Sequence, residues 1–289
     1  MAKKRPSRPS VRDALRVPAG NRRGIPLQPS AHPIGPDSKA AAAADLARTG
    51  TRLAELQEAL HAEGVTGGHR SVLLVLQGMD TSGKGGTIKH VCGQVNPQGL
   101  RIASFKKPTK TELRHDFLWR IRKQLPDPGY IGVFDRSHYE DVLVARVNEL
   151  VPPETIEARY DQINQFEAEL AERGTTLVKC FLHISPEVQR ERLIARLKNP
   201  AKQWKFNPGD LDARARWNDY QQAYAAALRR CSTGAAPWYV VPADRKWYRN
   251  WAVGQLLLET LEHMQPRTPA PSFDVDAELA RIMDSEQPR

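Results

Sequence analysis

The sequence contains little cysteine and no long apolar run. Its three cysteines, Cys92, Cys180 and Cys231, are scattered through 289 residues without CxxC or paired metal-ligand spacing. This distribution argues against a disulfide framework and against a zinc site. No apolar stretch approaches the roughly 20 residues that span a bilayer, and no signal-peptide core follows the basic N terminus. We expect a soluble protein of the reducing cytoplasm with no membrane partner.

Internal repeats are also absent, and the length suits one sizeable α/β domain rather than two. Residues 1–37 are rich in Arg, Lys, Pro and Ser, a composition that predicts a basic, disordered arm. Residues 38–265 form the predicted folded domain. Residues 266–289 begin with a proline-bearing linker, and we expect them to form a short terminal helix or to remain mobile.

Positive charge is in excess, with a formal net charge of +10. Such a surplus favours a polyanionic partner, which includes nucleic acid, anionic lipid and phosphate polymers. Charge alone does not choose among these three classes.

Short apolar segments alternate with segments of helical character. This alternation predicts a doubly wound parallel sheet covered by helices on both faces, a three-layer sandwich. The predicted strands are 71–77, 101–105, 130–135, 175–184 and 238–241. The predicted helices are 38–63, 84–94, 111–124, 153–173, 186–197, 211–230 and 246–264.

The motif GMDTSGKGGT begins directly after the first predicted strand and precedes a predicted helix. It matches the GxxxxGK part of a P-loop. Its glycines let backbone amides converge on phosphate oxygens, the helix N terminus adds a positive dipole end, and Lys84 adds a mobile charge. We expect a phosphate-binding loop and a P-loop kinase-like fold. The glycines assigned to phosphate binding are Gly78, Gly83, Gly85 and Gly86.

The loop departs from the usual motif because Gly85 stands where a Ser or Thr normally binds Mg²⁺. Asp80, inside the loop, is the candidate metal ligand, since a carboxylate beside phosphates needs an intervening cation. The alternative makes Asp80 a turn residue that binds its own backbone. Asp135 ends a predicted strand in the manner of a Walker B carboxylate, so both acids are expected at one crevice. Together they predict a Mg²⁺ site, with Mn²⁺ as an alternative metal.

A run of polar residues with one tyrosine follows Asp135. Arg136 is expected to neutralise charge on the transferring phosphoryl group, although a surface ion pair is the alternative. His138, Tyr139 and Glu140 are assigned to the nucleotide side of the site, and structural roles compete with this assignment. For Asp141 we prefer a favourable charge in the first turn of a helix.

Cations are dense between residues 106 and 123. Lys107, Lys110 and Arg114 would share one face of an early helix and could follow a chain of phosphates, while a solvated face is the competing interpretation. The remaining cations of this stretch are Lys106, Arg120, Arg122 and Lys123.

A second basic segment, at about residues 187–224, has the character of a lid that closes over phosphates and excludes water. Arg196 is the candidate catalytic residue of this lid, and Arg192 is expected to contact phosphate. Trp204 and Phe206 are left unassigned, because stacking on a base competes with packing of the segment itself.

Taken together, these segments resemble the polyphosphate kinase 2 family over roughly residues 46–263. The resemblance is carried by GMDTSGKGG, FDRSHYEDVLVARV, FLHIS, RLKNPAKQWKF and APWYVVPADRKWYRNWAV. It implies Asp80 and Asp135 as Mg²⁺ ligands, Lys84 and Arg136 as phosphate-contacting catalytic groups, and Arg196 as the contribution of the lid.

The resemblance also implies the substrates. A donor polyphosphate would lie along a basic groove, and ADP or AMP would accept the phosphoryl group in a reaction that can run in reverse. We extend the expected acceptors to guanine nucleotides. The family resemblance further implies assembly into a dimer or tetramer.

Two other functions fit part of the sequence. An ATP-dependent nucleoside monophosphate kinase shares the P-loop, the sheet and a basic lid, but Gly85 and the cations of 106–123 count against it. A non-catalytic nucleic-acid-binding protein with a vestigial P-loop would use the basic arm for sequence-independent phosphate contacts. The joint presence of four candidate catalytic residues argues against that function, and we expect no specific nucleic-acid partner. These residues are Asp80, Lys84, Asp135 and Arg136.

Overall fold

The computed structural model describes residues 10–21 and 24–285 of the chain. It contains a five-stranded sheet with strand order β2-β3-β1-β4-β5, in which all neighbouring strands are parallel. Each predicted strand is present, and its ends differ from the prediction by at most one residue. The strands are β1 Ser71–Gln77, β2 Leu100–Ser104, β3 Ile131–Asp135, β4 Thr175–His183 and β5 Trp238–Pro242.

Strand β1 lies at the centre of the sheet because its sequence is apolar on both faces. All seven of its residues are buried, as parallel strands covered by helices on both faces require. In contrast, β2 lies at an edge and leaves Ile102 52% exposed. The central position of β1 places the motif that follows it in the middle of the carboxyl edge of the sheet.

Helices cover both faces of the sheet and confirm the predicted three-layer sandwich. One face packs against α2, α3 and α11, and the other against α5, α6 and α10. The helices are α1 Val11–Leu15, α2 Lys39–Val65, α3 Lys84–His90, α4 Trp119–Arg122, α5 Glu140–Val147, α6 Pro153–Glu172, α7 Pro186–Leu197, α8 Pro200–Gln203, α9 Gly209–Ala215, α10 Trp217–Cys231, α11 Lys246–Met264 and α12 Val275–Asp284.

The predicted helix over residues 111–124 is wrong. The segment splits into a single 3₁₀ turn, Glu112–Arg114, and the short helix α4. Local side-chain bonds compete with a continuous helix here, since the Glu112 carboxylate accepts from the Thr109 amide and the Asp116 carboxylate accepts from the Leu118 amide. The cations of this segment therefore do not share one helix face.

The predicted helix over residues 211–230 is interrupted, and the one over 84–94 is shortened. The first divides at Arg216 into α9 and α10. The second ends at His90 and continues only as a 3₁₀ turn, Cys92–Gln94.

The structure differs from the prediction of a disordered arm over residues 1–37. Within the described part of this arm, Val11, Leu15 and Val17 are buried, and the Val17 amide donates to the Trp238 carbonyl at 2.8 Å. The Glu259 carboxylate accepts from the first amides of α1. The arm thus covers the open edge of β5, a role that its composition did not reveal. Residues 1–9 and 22–23 lie outside the described residues.

The later part of the arm, residues 24–37, crosses the carboxyl ends of β4 and β5. The His183 Nδ1 atom lies 2.9 Å from the Leu27 carbonyl oxygen, and the Asp244 amide donates to the Pro29 carbonyl. The arm therefore passes beside the edge of the sheet at which open α/β folds bind ligands.

The three cysteines are all buried and free. Burial raises the pKa of both Cys92 and Cys231 to about 12. At neutral pH these two thiols therefore stay protonated and are poor nucleophiles.

The C-terminal segment forms α12, none of whose residues is buried. Residues 286–289 lie outside the described part of the chain. Among the helices of residues 10–21 and 24–285, none combines the length and the apolar character needed to cross a bilayer.

Replacing Leu15 by Ala tests whether the arm belongs to the folded domain. Leu15 is 1% exposed, so Leu15→Ala should lower the free energy of unfolding by about 2–4 kcal/mol through lost burial and a cavity. Urea denaturation followed by circular dichroism measures this change. The control is Leu113→Ala, which removes the same atoms from a side chain that is 69% exposed and should cost less than about 0.5 kcal/mol. Equal stabilities for the two variants would mean that the arm does not pack as described.

Candidate phosphate-binding site

The loop Gly78–Gly83 joins β1 to α3 in a conformation that few sequences can adopt. Gly78, Thr81 and Gly83 have φ values of 153°, 64° and 109°, which lie in the region that favours glycine. At Gly83 a Cβ atom would also overlap the guanidinium of Arg249. The backbone conformation therefore favours glycine at both positions, and a side chain at Gly83 would also displace Arg249.

Gly85 and Gly86 lie in the first turn of α3 and not in the loop itself. Neither has a positive φ, so the helix does not need glycine at these positions for its backbone conformation. A Cβ atom at Gly85 would meet no atom within 4 Å, whereas one at Gly86 would lie 3.0 Å from a terminal nitrogen of Arg249. A side chain at position 86 would therefore require only a small shift of the Arg249 guanidinium. The first amides of a helix have no partner within it, and their binding to phosphate stays a prediction.

Lys84 begins α3 and folds back over the loop. Its Nζ donates to the Gly78 carbonyl oxygen at 2.7 Å. Burial and the nearby Arg136 lower the pKa of Lys84, while Asp80, Asp135 and Glu140 oppose this shift. The lysine and all three acids therefore lie close together, as predicted for Lys84, Asp80 and Asp135. A bound phosphate would further stabilise the ammonium form.

Arg136 bridges the two carboxylates on either side of it. One terminal nitrogen donates to Asp80 Oδ1 at 2.8 Å and the other donates to Glu140 Oε2 at 3.1 Å. Glu140, followed by Asp80, raises the pKa of Arg136 against the effect of burial. The φ of 67° at Arg136 is uncommon for a residue with a side chain, and the turn aims the guanidinium across the crevice at the P-loop.

Oxygen groups suited to a hard cation surround this crevice. Asp80 and Asp135 provide two carboxylates, the number with which Mg²⁺ is usually held alongside substrate phosphates and water. No group of three or more His, Cys, Asp or Glu side chains suited to a metal occurs within residues 10–21 and 24–285. A metal at the two carboxylates would therefore take its remaining ligands from hydroxyls, water and the substrate.

Three hydroxyl oxygens around the loop are buried without a hydrogen-bond partner. They belong to Thr81, Ser82 and Thr87. Buried polar atoms normally have partners, so these hydroxyls fit a loop whose natural occupant is an anion with its metal and water. Thr87 stands three residues after Lys84. The usual motif has its Ser or Thr directly after the lysine, at position 85, so the motif did not point to Thr87.

Two arginines bind the outer side of the loop. Arg192 from α7 donates to the Thr81 and Ser82 carbonyls at 2.9 and 3.3 Å, and Arg249 from α11 donates to the Ser82 carbonyl at 3.1 Å. Burial, followed by the charge of Arg192, lowers the pKa of Arg249 to about 10. These contacts hold the two carbonyls on the outer side of the loop. Of the amides that follow them, the Ser82 amide donates to the Met79 carbonyl at 3.0 Å, so the Gly83 amide is the one that could face a phosphate.

The prediction that Arg192 contacts phosphate is therefore corrected. Its second terminal nitrogen donates to the Ala243 and Asp244 carbonyls at 2.7 and 2.8 Å. Because both terminal nitrogens of Arg192 donate to backbone carbonyls, this residue supports the loop from its outer side. The sequence analysis assigned no role to Arg249, although the residue lies within a segment that carries the family resemblance.

His138 and Tyr139 are also corrected, because both are fully buried beneath the crevice and cannot contact a nucleotide. The Tyr139 hydroxyl donates to Glu167 at 2.9 Å, and His138 Nε2 lies 3.2 Å from the same carboxylate oxygen. Lys179 on β4 pairs with Glu167 and donates to Tyr139. The cluster anchors the turn that carries Arg136.

Ionisation of the buried Glu167 depends on its partners. Burial opposes the charged form, yet Lys179 and His138 hold the pKa of Glu167 below its ordinary value. Burial and the same carboxylate raise the pKa of Tyr139. In this cluster the Glu167 carboxylate is therefore negative and paired with Lys179, and the Tyr139 phenol is neutral and donates to the carboxylate.

The lid helices bring a further acid close to the crevice. Arg196 donates to the Lys205 carbonyl at 3.0 Å and to Asp210 at 3.2 Å. Burial and the charge of Asp80 raise the pKa of Asp210, while Arg196 lowers it. In this structure Arg196 is thus paired with Asp210, a residue that the sequence analysis did not select. Trp204, at 77% exposed, contacts neither the P-loop nor Arg136 in any described bond.

The cations after β2 lie on the surface. Lys107, Lys110 and Arg114 are all exposed, and the turn that follows is attached to the core by Arg120. That residue donates to the Lys106 carbonyl at 2.8 Å and pairs with Asp141. Asp141 therefore helps to fix this segment through Arg120. The prediction for Asp141 was only that its charge stabilises the first turn of a helix.

Comparison with known proteins gives a consistent result. The family model described as polyphosphate kinase 2 matches residues 37–269. The AMP/ADP-polyphosphate phosphotransferase of Meiothermus ruber is 53% identical over 233 residues, which cover 81% of this chain and 86% of the relative. The ADP-polyphosphate phosphotransferase of Rhodopseudomonas palustris is 43% identical over 230 residues, which cover 75% of this chain and 78% of the relative.

A solved structure agrees with the fold as well as the sequence. The crystal structure of polyphosphate kinase 2 from Arthrobacter aurescens TC1 superposes with a TM-score of 0.92 at 50% identity. It covers 96% of this chain, and the chain covers 97% of it. None of these relatives is named as a nucleoside monophosphate kinase or as a nucleic-acid-binding protein, so the two alternative functions gain no support.

The cluster around Glu167 can be tested through its buried charge. Glu167→Gln leaves Lys179 buried without its carboxylate and should lower the free energy of unfolding by about 3–5 kcal/mol at neutral pH. Since the folded-state pKa of Glu167 is lowered, its contribution is present above the ordinary value of 4.5 and is lost as pH falls through the lowered value. The difference from wild type should therefore shrink in acid, as measured by urea denaturation at several pH values.

Glu169→Gln is the matched control on the same helix. Its pair with Arg122 spans 3.7 Å and is partly exposed, so its loss should cost at most about 1 kcal/mol. A cost for Glu167→Gln no larger than that of the control would contradict the buried cluster.

Proposed function

The chain belongs to the polyphosphate kinase 2 family, and from this premise we propose how its crevice transfers a phosphoryl group between inorganic polyphosphate and a nucleotide. The observation that carries the proposal is the convergence of Lys84, Asp80, Asp135 and Arg136 at the carboxyl edge of the central strands. Phosphoryl transfer requires mainly positioning and the stabilisation of developing charge, and these residue types supply both.

The P-loop is proposed to hold the transferring phosphoryl group. Its amides and Lys84 would bind phosphate oxygens, and Lys84 would exchange its bond to the Gly78 carbonyl for one to phosphate. Arg136 would neutralise equatorial oxygens while Glu140 keeps its guanidinium oriented. Arg196 would leave Asp210 and contribute a second cation when the lid closes over the substrates.

Asp80 and Asp135 are proposed to hold Mg²⁺, with Mn²⁺ as an alternative. The two carboxylates would hold the metal, and the unpartnered hydroxyl of Thr87 would be an oxygen ligand in place of the Ser or Thr that is missing at Gly85. When bound, the metal supplies positive charge against the phosphate oxygens.

The reaction proposed is a direct in-line displacement. An oxygen of the terminal phosphate of the nucleotide forms a bond to the terminal phosphorus of polyphosphate, and the bond from that phosphorus to the next bridging oxygen breaks. The leaving polyphosphate is one unit shorter and keeps the bonding electrons on its new terminal oxygen. No covalent bond to the enzyme forms, and the same steps run in reverse when ATP donates.

Both AMP and ADP are proposed as acceptors, and the names of the Meiothermus ruber and Rhodopseudomonas palustris relatives support these two. Guanine nucleotides are proposed as further acceptors. We also propose cytoplasmic location and assembly into a dimer or tetramer. Exposed apolar side chains at Leu279, Ile282 and Met283 on α12 support a contact with a further chain.

Lys84→Ala tests the proposed reaction. With long-chain polyphosphate and Mg²⁺, the wild-type protein should phosphorylate AMP and ADP offered separately, with GDP as a third acceptor. Loss of the lysine should lower kcat by about 10²–10³-fold, since a charge that stabilises the transition state is removed. Lys89→Ala, on the exposed surface of the same helix, should retain activity. Transfer by the wild type from ATP but not from polyphosphate would refute the donor assignment.

Asp135→Asn tests the proposed metal site. The variant should require a higher Mg²⁺ concentration for half-maximal activity. Loss of a residue that only supports a metal ligand lowers metal affinity by about 10–100-fold, and loss of a ligand itself should cost at least as much. The control is Asp127→Asn, which changes an exposed carboxylate paired with Arg101. An unchanged Mg²⁺ requirement for Asp135→Asn would remove Asp135 from the metal site.

A further inference from the structure

Helix α7 holds three consecutive carbonyls of the P-loop. The Gln189 side-chain amide donates to the Asp80 carbonyl at 3.3 Å. Arg192, three residues later on the same side of the helix, donates to the Thr81 and Ser82 carbonyls. Gln189 therefore contacts the backbone of a candidate metal ligand, and the function proposed above gives this contact no role.

A second contact orients Gln189 from the other side. The side chain is fully buried, and its Oε1 atom accepts from Arg214 at 2.9 Å. Since a guanidinium only donates hydrogen bonds, the amide oxygen must face Arg214, and the amide nitrogen then faces the Asp80 carbonyl. Arg214 thus fixes the direction of the Gln189 amide.

Arg214 comes from α9, which lies within the lid segment. The terminal nitrogen that donates to Gln189 also donates to the Pro186 carbonyl, in the first turn of α7, at 2.6 Å. Seven residues beyond Gln189, the pair of Arg196 with Asp210 joins the same two helices again. Helix α9 is therefore seated on α7 at two points, and one of them leads through Gln189 to the P-loop.

These contacts hold Asp80 from two directions. Arg136 donates to its carboxylate at 2.8 Å, and Gln189 donates to its carbonyl. The next residue, Thr81, has a φ of 64°, a conformation that persists only where the surroundings stabilise it. Without Gln189 the peptide between Asp80 and Thr81 would lose a buried hydrogen-bond donor and gain freedom to rotate, which would move the carboxylate relative to Asp135.

We propose that Gln189 is a positioning residue for Asp80, and that Arg214 makes this positioning depend on helix α9 of the lid. The inference rests on the proposed function, in which Asp80 is a metal ligand, and adds a physical connection between the lid and the metal site. When α9 leaves α7, the Gln189 oxygen loses its donor and the amide nitrogen is no longer directed at the Asp80 carbonyl. Asp80 is thus best placed for a metal when α9 is seated, and by linkage metal binding favours the seated lid.

Gln189→Met tests the positioning. Methionine is unbranched and lacks a strong hydrogen-bonding group, so both bonds of Gln189 are lost. The Mg²⁺ concentration for half-maximal activity should rise by about tenfold or more, as expected when a residue that supports a metal ligand is removed. Without any ligand, hydrogen exchange of the amides in residues 78–83, followed by mass spectrometry, should be about tenfold faster, because the loop opens locally more often.

Gln255→Met is the matched control. Gln255 is also a buried glutamine that joins two helices, since its amide donates from α11 to Thr49 on α2 at 2.7 Å. Both substitutions should lower the free energy of unfolding, because each leaves buried polar groups without a partner. Only Gln189→Met should change the Mg²⁺ requirement and the hydrogen exchange of the loop.

Gln189→Glu separates the two bonds of this side chain. The carboxylate keeps an acceptor for Arg214 but has no donor for the Asp80 carbonyl. The variant should therefore raise the Mg²⁺ requirement as Gln189→Met does, although α9 stays attached to α7.

Arg214→Met tests the connection to the lid. The variant should raise the Mg²⁺ requirement, and the double variant with Gln189→Met should require no more Mg²⁺ than Gln189→Met alone, since residues that act through one another are not additive. The losses in free energy of unfolding can still add, because Arg214 also binds the Pro186 carbonyl. Arg190→Met, which changes an exposed arginine of α7, is the control and should leave the Mg²⁺ requirement unchanged.

Three outcomes would overturn the proposal. The first is an unchanged Mg²⁺ requirement or unchanged loop exchange in Gln189→Met, and the second is wild-type behaviour of Gln189→Glu. The third is a double variant in which the effects of Arg214→Met and Gln189→Met multiply, which would mean that the two residues act independently. Failure of the proposed function would look different: wild-type protein would transfer no phosphate from polyphosphate, while hydrogen exchange would still report whether Gln189 holds the loop.

Discussion

The contact on which the site depends is the one between two arginines and the outer carbonyls of the P-loop. A peptide group has its amide and carbonyl on opposite sides, so holding the Ser82 carbonyl outward directs the Gly83 amide inward. The Ser82 amide, which follows the Thr81 carbonyl, donates to the Met79 carbonyl at 3.0 Å. Arg192 comes from α7 and Arg249 from α11, which means that the loop is shaped only when both helices have packed. A Cβ atom at Gly83 would overlap the Arg249 guanidinium, so a side chain there would displace this arginine from the loop.

The same contact connects the loop to three other parts of the molecule. Arg192 also holds the turn after β5 through the Ala243 and Asp244 carbonyls, and Asp244 in turn caps α7 through the Ser185 amide. The N-terminal arm crosses the same turn at Pro29. The first part of the lid and the arm are therefore both connected to the loop by hydrogen bonds of 2.7–3.3 Å.

A second support lies under Arg136. The left-handed turn at this residue has an energetic cost, and the surrounding structure must compensate for it. Tyr139 and His138 anchor the turn to Glu167, whose charge is balanced by Lys179. Buried polar clusters of this kind are rigid when their main groups are paired and costly when one partner is lost. The catalytic arginine is thus positioned by residues that never meet the substrate.

The five strands, the P-loop and the group of Asp80, Lys84, Asp135 and Arg136 could be predicted from local patterns, because hydrophobic period, glycine placement and strand ends are local properties. The sequence by itself did not determine which cations face phosphate. Arg192 and Lys107 are both basic residues near glycine-rich or turn segments, yet one binds carbonyls and the other is exposed. The tertiary structure alone decided this, and it also buried His138 and Tyr139 and packed Leu15 against β5. Burial and hydrogen-bond partners come from residues far apart in the chain, here by as many as 249 positions between Ser10 and Glu259, and a local pattern carries no record of such distant partners.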